Sequence, residues 1–425
     1  MKEDFLHYVW KFQKFSTRNI KTVQGDTLKI IKTGEQNYNS GPDFLNAQVS
    51  VEAQLWAGNV EIHVNSSDWY VHNHEQDPSY DNVILHLVWE HDTEIFRKDN
   101  NPIPTLELKS IVDVDILSKY QKLFSKKQKW INCENDFPEI DSFIIENWLD
   151  RLYLERLEQK SLLIDKELKA SNNHWESVLF RLLCKNFGLK VNGEAFYSIA
   201  NSLDFSVVKK CSQDAIDLES LLFGQAGFFE ETKESVYFVN LERKYLFFKE
   251  KFNIKNDFVI FPKFFRLRPP NFPTIRLSQL AVLFTQRHSL FSEIIATKNL
   301  DDFYLLFDIS ANEYWDTHYN FGITSVKRQK RLTHKFIDLL LINTLIPLKF
   351  CYARYLGKDA SQEIIKLALA IPKEENTIIK KFNQLWPFTR NGLQTQALLQ
   401  LKNEYCDKNK CLQCVIGNSI LKSIP

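Results

Sequence analysis

Two acidic residues and one histidine in the first third of the chain have the types and spacing of a divalent-metal site. Asp43 follows a Gly-Pro pair, and Glu61 and His63 are two residues apart in an apolar run. Since side chains alternate along a strand, Glu61 and His63 point to one face of the predicted sheet. Carboxylates are ligands that suit Mg²⁺ and Mn²⁺. The pattern therefore predicts that Asp43 and Glu61 bind Mg²⁺ or Mn²⁺ and that His63 orients or deprotonates a water.

Three further histidines follow and offer a second chemistry. His72 and His74 come after a Ser-Ser-Asp run, which predicts the start of a short helix that carries them. His86 lies on a predicted strand, and it comes close to His63 if that strand runs parallel to the strand of Glu61. These histidines predict, as an alternative, a hydrolase whose metal has imidazole ligands. The competing interpretation of His86 is a hydrogen-bonded core residue.

The segments that position these residues are a helix and several strands. Apolar residues at helical spacing predict a first helix over 5–15, and a further helix is expected between residues 64 and 83. Alternating or β-branched runs predict strands over 27–33, 47–53, 58–64, 83–90 and 104–109. We therefore predict an α/β domain with a mixed sheet over residues 1–115.

The pattern changes after residue 115. Helices are predicted over 141–169, 174–187, 213–223, 276–298, 333–346 and 359–371. Residues 116–425 are therefore predicted to form a mostly helical region, and a further division near residue 270 stays open.

The order of these elements resembles a known superfamily. A helix, a strand entered through Pro42-Asp43, a strand with Glu61 and His63, a helix and a strand are similar to the PD-(D/E)XK phosphodiesterases, which include restriction-type nucleases. The resemblance implies a restriction-endonuclease-like fold in which Asp43 and Glu61 are catalytic and His63 replaces the family's lysine. Glu3 or Glu35 would add a further acid. Because His63 stands where the family has a lysine, the sequence also favours a non-catalytic protein with a degenerate nuclease fold.

A second resemblance covers nearly the whole chain. The runs 41–44, 60–63, 66–69, 268–273 and 405–417 together resemble an uncharacterised bacterial family of unknown function. That family implies no activity.

Basic residues in the second part are candidate phosphate contacts. Arg266, Arg268 and Arg276 stand in a proline-rich stretch, which predicts a stiff extended connector. Lys327 and Arg328 begin a second basic run. The competing interpretations are an interdomain clamp for the arginines and a solvated face for the run.

Three cysteines near the end of the chain form a C-x4-C-x2-C pattern. Cys406, Cys411 and Cys414 have the spacing of a structural zinc site or an iron–sulfur cluster. The fourth ligand is not local, and Cys184, Cys211, Cys351 and His334 are left open as distant options. Three unligated packed thiols are the alternative.

The distribution of charge bears on the partner. The 425 residues carry a net charge of +1, but residues 1–115 contain 10 Lys or Arg and 18 Asp or Glu, a balance of −8 that leaves +9 for the rest. This asymmetry permits nucleic acid as a partner. No run of about 18 apolar residues is found, so we expect no membrane span. The odd number of cysteines argues against a closed set of disulfides, so we expect a cytoplasmic protein.

Three hypotheses follow from the sequence. The first is a metal-dependent nuclease-like phosphodiesterase acting on nucleic acid. The second is a non-catalytic nucleic-acid-binding or scaffold protein. The third is a His-ligated metallohydrolase acting on a small substrate.

Overall fold

Contacts within the chain divide it into two units. The computed structural model describes residues 1–125, 129–230 and 234–422. Unit 1 comprises Met1–Trp148 with Leu401–Pro425, and unit 2 comprises Leu149–Gln400. The boundary predicted near residue 115 falls inside unit 1, and the one left open near residue 270 falls inside unit 2.

The strands of unit 1 form one six-stranded mixed sheet. They are β1 (Leu28–Lys32), β2 (Glu35–Gln36), β3 (Phe44–Val51), β4 (Gln54–Asn65), β5 (Val83–Glu90) and β6 (Thr105–Glu107). The order across the sheet is β1-β3-β4-β5-β6, with β2 paired to β3. Pairs among β1, β3 and β4 are antiparallel, whereas β4-β5 and β5-β6 are parallel. The predicted mixed sheet is confirmed, and the restriction-endonuclease-like fold stays a prediction.

The helices confirm a mostly helical second part of the chain. The first helices are α1 (Glu3–Lys11), α2 (Asp68–Val71) and α3 (Val114–Leu123), and α4 (Ser142–Ala170) runs from unit 1 into unit 2. Unit 2 continues with α5 (Trp175–Phe187), α6 (Leu189–Asn201), α7 (Phe205–Cys211), α8 (Ala215–Gln225), α9 (Val236–Lys251), α10 (Pro273–Gln286), α11 (Leu290–Ala296), α12 (Leu300–Leu306), α13 (His334–Leu340), α14 (Ile346–Tyr355), α15 (Ser361–Ala370), α16 (Thr377–Leu385) and α17 (Gly392–Gln400). A small hairpin of β7 (His318–Asn320) and β8 (Ile323–Thr324) interrupts them, and α18 (Val415–Lys422) belongs to unit 1.

Two predicted helices have different bounds. The helix predicted over 5–15 ends at Lys11, and Gln13 then adopts a left-handed conformation with φ of 47°. The single helix predicted over 276–298 is wrong, because Arg287 leaves the helical conformation (φ −124°, ψ 79°) and separates α10 from α11.

One helical stretch of unit 2 is apolar and long. His334–Tyr355 has the length and composition of a membrane span, and 67% of its most apolar window is buried in the protein. The sequence-based exclusion of such a segment was too strict, because the helix continues through Pro347 after a π-helical turn over Leu341–Leu345. Burial of most of this window is typical of a core helix. The cytoplasmic location stays a prediction.

The core of unit 1 lies between α1 and one face of the sheet. The apolar face of α1 contributes Phe5, Leu6 and Val9, and β4 contributes Val60 and Ile62. Burial of large side chains of this kind stabilises a fold by about 1.5–3 kcal/mol each. The opposite face of β4 is free to carry polar residues.

Candidate metal centre

β4 and β5 place three titratable side chains on the face of the sheet opposite the core. Glu61 and His86 are paired in the parallel register of the two strands, and His63 follows Glu61 on the same face. The three residues are 5%, 0% and 1% exposed for Glu61, His86 and His63. Burial of polar groups is costly unless they are paired with each other or with a ligand. The predicted approach of His86 to His63 is confirmed.

The register of β4 and β5 depends on Gly58. A Cβ atom at Gly58 would lie 2.5 Å from Ile84 Cγ2 and 2.6 Å from the Asn82 carbonyl oxygen. Glycine therefore lets the chain that enters β5 pass directly against β4. This close approach sets His86 opposite Glu61.

His72 and His74 reach the site from the connection between β4 and β5. The prediction that one helix carries both is wrong, because α2 ends at Val71 and Asn73 adopts a left-handed conformation with φ of 58°. The chain turns there. His72 is exposed, whereas His74 lies under the ring of Tyr80, with the ring centres 3.8 Å apart.

Four ligand atoms converge at this point. Glu61 Oε1 lies 3.3 Å from His74 Nε2 and 3.6 Å from His63 Nε2. His63 Nε2 lies 3.1 Å from His72 Nδ1, and one nitrogen of each of the three imidazoles lies within 4.8 Å of the others. Ligands about 2.0–2.1 Å from a tetrahedral metal ion are about 3.3 Å from one another. The three imidazole nitrogens thus have the spacing of one coordination sphere, and Glu61 Oε1 lies beside two of them.

His86 sets the tautomer of His63. Its Nε2 lies 2.8 Å from His63 Nδ1. When His63 Nδ1 carries the proton and donates it to His86, the lone pair of His63 Nε2 faces His72 and His74. Metal-binding histidines commonly have such a partner on the second nitrogen. Among the described residues, His86 Nδ1 itself has no hydrogen-bond partner.

Asp43 joins the site at the start of β3. Its N–H donates to Glu61 Oε2 at 3.2 Å, and its Oδ2 accepts from the Ile62 N–H at 3.0 Å. His7 Nε2, on α1, lies 3.3 Å from the same Oδ2. An extra residue in β3 between Phe44 and Ala47 forms a bulge beside it. Bulges of this kind often redirect side chains next to functional sites.

Burial dominates the electrostatics of the site. It raises the pKa of Glu61 to about 9, with the charge of Asp43 adding to the rise. Burial and the neighbouring imidazoles lower the pKa of His63 to about 2, and burial lowers the pKa of His86 to about 3. Burial also opposes the charged form of His7, but the hydrogen bond and the charge of Asp43 outweigh it, so the pKa of His7 is raised. Neutral imidazoles are the form that binds metals.

A groove lies beside the histidines. It has a volume of about 560 Å³, including space open to solvent, and His74 and Tyr80 line one side. Arg97 and Lys98 line it as well, and Lys98 Nζ lies 3.1 Å from Asp81 Oδ1. The groove thus reaches the site at His74.

The remaining acidic candidate lies elsewhere. Glu35 is on β2, where its carboxylate is 77% exposed and lies 3.7 Å from Lys32 Nζ. No contact with the histidine cluster is found for Glu35 among the described residues. Glu3, by contrast, lies close enough to Asp43 that burial and the charge of Asp43 raise its pKa.

The basic candidates of unit 2 have different environments. Arg266, Arg268, Lys327 and Arg328 are exposed, so they stay candidates for phosphate contacts. Arg276 is buried, and its guanidinium donates to Gln279 Oε1 and Asn271 Oδ1 and lies 3.6 Å from the Phe336 ring centre. Arg276 thus connects residues in the interior of unit 2. The proline-rich connector is not fully extended, because Pro269–Asn271 form a 3-10 turn.

The cysteine cluster contains a fourth cysteine, Cys133, that was not predicted from the sequence. Cys406, Cys411 and Cys414 line one cavity of unit 1 together with Cys133. The distant options Cys184, Cys211, Cys351 and His334 lie in unit 2. A contact between positions so far apart in the chain leaves no local pattern. His7 was also missed, although its spacing of four residues from Glu3 on one helix is a signal that could have found it.

The chain was also compared with known proteins. No curated protein and no solved structure matches it. A family model described as "Protein of unknown function (DUF2851)" matches residues 3–377, which contain all the residues of the histidine site. The chain therefore belongs to the DUF2851 family.

Proposed function

We propose that unit 1 is a metal-dependent hydrolase of phosphodiester bonds and that its substrate is nucleic acid. The observation that carries this proposal is the cluster of three imidazoles, in which one nitrogen each of His63, His72 and His74 lies within 4.8 Å of the others. Glu61 Oε1 lies beside two of them, 3.3 Å from His74 Nε2 and 3.6 Å from His63 Nε2. Three imidazoles suit Zn²⁺ or Fe²⁺, whereas the carboxylate of Glu61 suits Mn²⁺ or Mg²⁺. The donor set therefore favours Zn²⁺ over the Mg²⁺ or Mn²⁺ predicted from the sequence.

The metal would supply a water of lowered pKa and would stabilise charge on the phosphate. The protein residues have separate tasks. His86 holds the tautomer of His63, and the backbone of Ile62 holds the Asp43 carboxylate beside Glu61. His7, with its raised pKa, is placed to hold a proton for the leaving oxygen. The exposure of His72 keeps the site open to a substrate.

Two further observations support a phosphodiester substrate. The element order of unit 1, with Asp43 entering one strand and Glu61 and His63 on the next, is the order that carries the resemblance to the PD-(D/E)XK phosphodiesterases. The exposed Arg266, Arg268, Lys327 and Arg328 offer positive charge to a polyanion. The cluster of His63, His72 and His74 beside Glu61 also fits the third hypothesis, a hydrolase of small esters whose metal has histidine ligands.

The experiment uses the purified full chain with Mn²⁺, Zn²⁺ or Mg²⁺. Labelled single- and double-stranded DNA and RNA are offered beside a small chromogenic phosphodiester. We expect cleavage with Mn²⁺ or Zn²⁺, and a loss of at least 100-fold in His74→Ala, on the order of the contribution of a metal-activated nucleophile. His288→Ala, an exposed histidine of unit 2, is the matched control.

The outcomes separate the hypotheses. Cleavage of the small ester without cleavage of nucleic acid would support the small-substrate hydrolase instead. Salt-dependent nucleic-acid binding without turnover would support the non-catalytic protein. Absence of metal binding by the wild-type chain would refute the proposal.

A further inference from the structure

Four cysteines surround one cavity of unit 1, apart from the histidine site. Cys133, Cys411 and Cys414 are 8%, 9% and 6% exposed, and Cys406 is partly buried. The cavity has a volume of about 320 Å³, including space open to solvent. Its other walls are mostly apolar and include Phe137, Leu401 and Ile416. The four thiols thus face one cavity with mostly apolar walls.

One donor of the protein is directed at a sulfur atom of this cavity. Asn132 Nδ2 donates to Cys411 Sγ at 3.4 Å. Burial raises the pKa of all four thiols, so the thiols keep their protons until a metal binds. Metal binding removes those protons, and hydrogen bonds to the resulting thiolates tune metal centres. The Asn132 donor thus suits Cys411 as a metal ligand.

Gly417 allows the two sides of the cavity to meet. A Cβ atom there would lie 2.1 Å from the Cys411 carbonyl oxygen. The start of α18 therefore folds directly against the turn that holds Cys411. This approach places Cys414 beside Cys411, although two residues separate them.

We propose that Cys133, Cys406, Cys411 and Cys414 bind one iron–sulfur cluster. Three of the ligands have the C-x4-C-x2-C spacing that iron–sulfur proteins use with a fourth, remote cysteine. Cys133 supplies that remote ligand from the other segment of unit 1. Each thiol loses its proton when it binds iron.

The cluster would join the two segments that build unit 1. Leu412 and Leu421 from the second segment pack in the same core as Leu6 and Val9 of α1. α1 carries His7, which lies 3.3 Å from Asp43. Loss of the cluster would therefore loosen the helix that supports one side of the histidine site.

The test is an analysis of the full chain purified without oxygen. We expect iron and acid-labile sulfide in equal amounts, with a visible absorbance that dithionite bleaches. Cys133→Ala should contain at least tenfold less iron and sulfide than the wild-type protein. Cys351→Ala, a buried cysteine of unit 2, is the matched control and should retain both.

A second variant keeps the test decisive if Cys133→Ala fails to fold. Asn132→Ala keeps all four thiols and removes one donor, so it should retain the iron and shift the reduction potential downward. Zinc in place of iron and sulfide in the wild-type chain would overturn the cluster assignment. Full iron content in a folded Cys133→Ala protein would overturn the role of Cys133, and an unchanged potential in Asn132→Ala would contradict the proposed hydrogen bond to a ligand.

Discussion

Replacement of His86 by leucine tests the metal centre without touching its ligands. The His86 imidazole is fully buried, and its Nε2 lies 2.8 Å from His63 Nδ1. Leucine fills a similar volume but accepts no hydrogen bond, so the His63 Nδ1–H is left unpaired in the metal-bound state. Loss of such a partner typically lowers metal affinity by about 10- to 100-fold. That range corresponds to about 1.4–2.8 kcal/mol of binding free energy.

The stability of the metal-free protein should change much less. His86→Leu removes one unpaired buried nitrogen, His86 Nδ1, and creates another at His63 Nδ1. Each unpaired group costs about 1–3 kcal/mol, so the two effects largely cancel. The variant therefore separates metal affinity from folding.

The assay is a competition titration of Zn²⁺ and Mn²⁺ against a chromophoric chelator, with urea unfolding of the metal-free protein beside it. His288→Leu is the control, because His288 is exposed in unit 2. Unchanged affinity in a folded His86→Leu protein would refute the role of His86 in orienting His63.

Three further predictions concern stability. Gly58→Ala should destabilise the protein by about 1–3 kcal/mol in urea unfolding, because its Cβ would lie 2.5 Å from Ile84. The pKa of His86 is lowered to about 3, so the unfolded state binds more protons at this residue below pH 6.5, and between pH 7 and pH 5 the metal-free wild type should lose about 2 kcal/mol more stability than His86→Leu. Glu219→Gln should cost about 1–3 kcal/mol in thermal unfolding, because Oε1 of buried Glu219 accepts from Trp315 and Oε2 accepts from Asn312, whereas an amide has only one accepting oxygen.

The sheet and half of the site followed from sequence patterns. Alternation along β4 correctly placed Glu61 and His63 on one face. The connection to β5 is long enough for a parallel crossover, and in the parallel pairing that is found His86 lies beside His63. These features depend on a period of two residues and on connection length, both of which are local properties. They are therefore visible in a single sequence.

The rest depended on tertiary structure. The helix expected to carry His72 and His74 is too short because Asn73 turns the chain, and one residue's conformation is not set by periodicity. Arg276 is polar but buried, since Asn271 and Gln279 accept from its guanidinium and the ring of Phe336 packs on it. The contact with Phe336 forms only after distant segments have packed.

The return of residues 401–422 to unit 1 has a consequence for synthesis. A ribosome makes the sheet early, but it must then make residues 149–400 before the last segment of the same unit emerges. At about 5–20 residues per second this takes on the order of 10–50 s. During that interval, the apolar surface of unit 1 that Leu412 and Leu421 later cover is exposed in the nascent chain. Chaperones thus have a defined apolar target that disappears once residues 401–422 have been made and have packed.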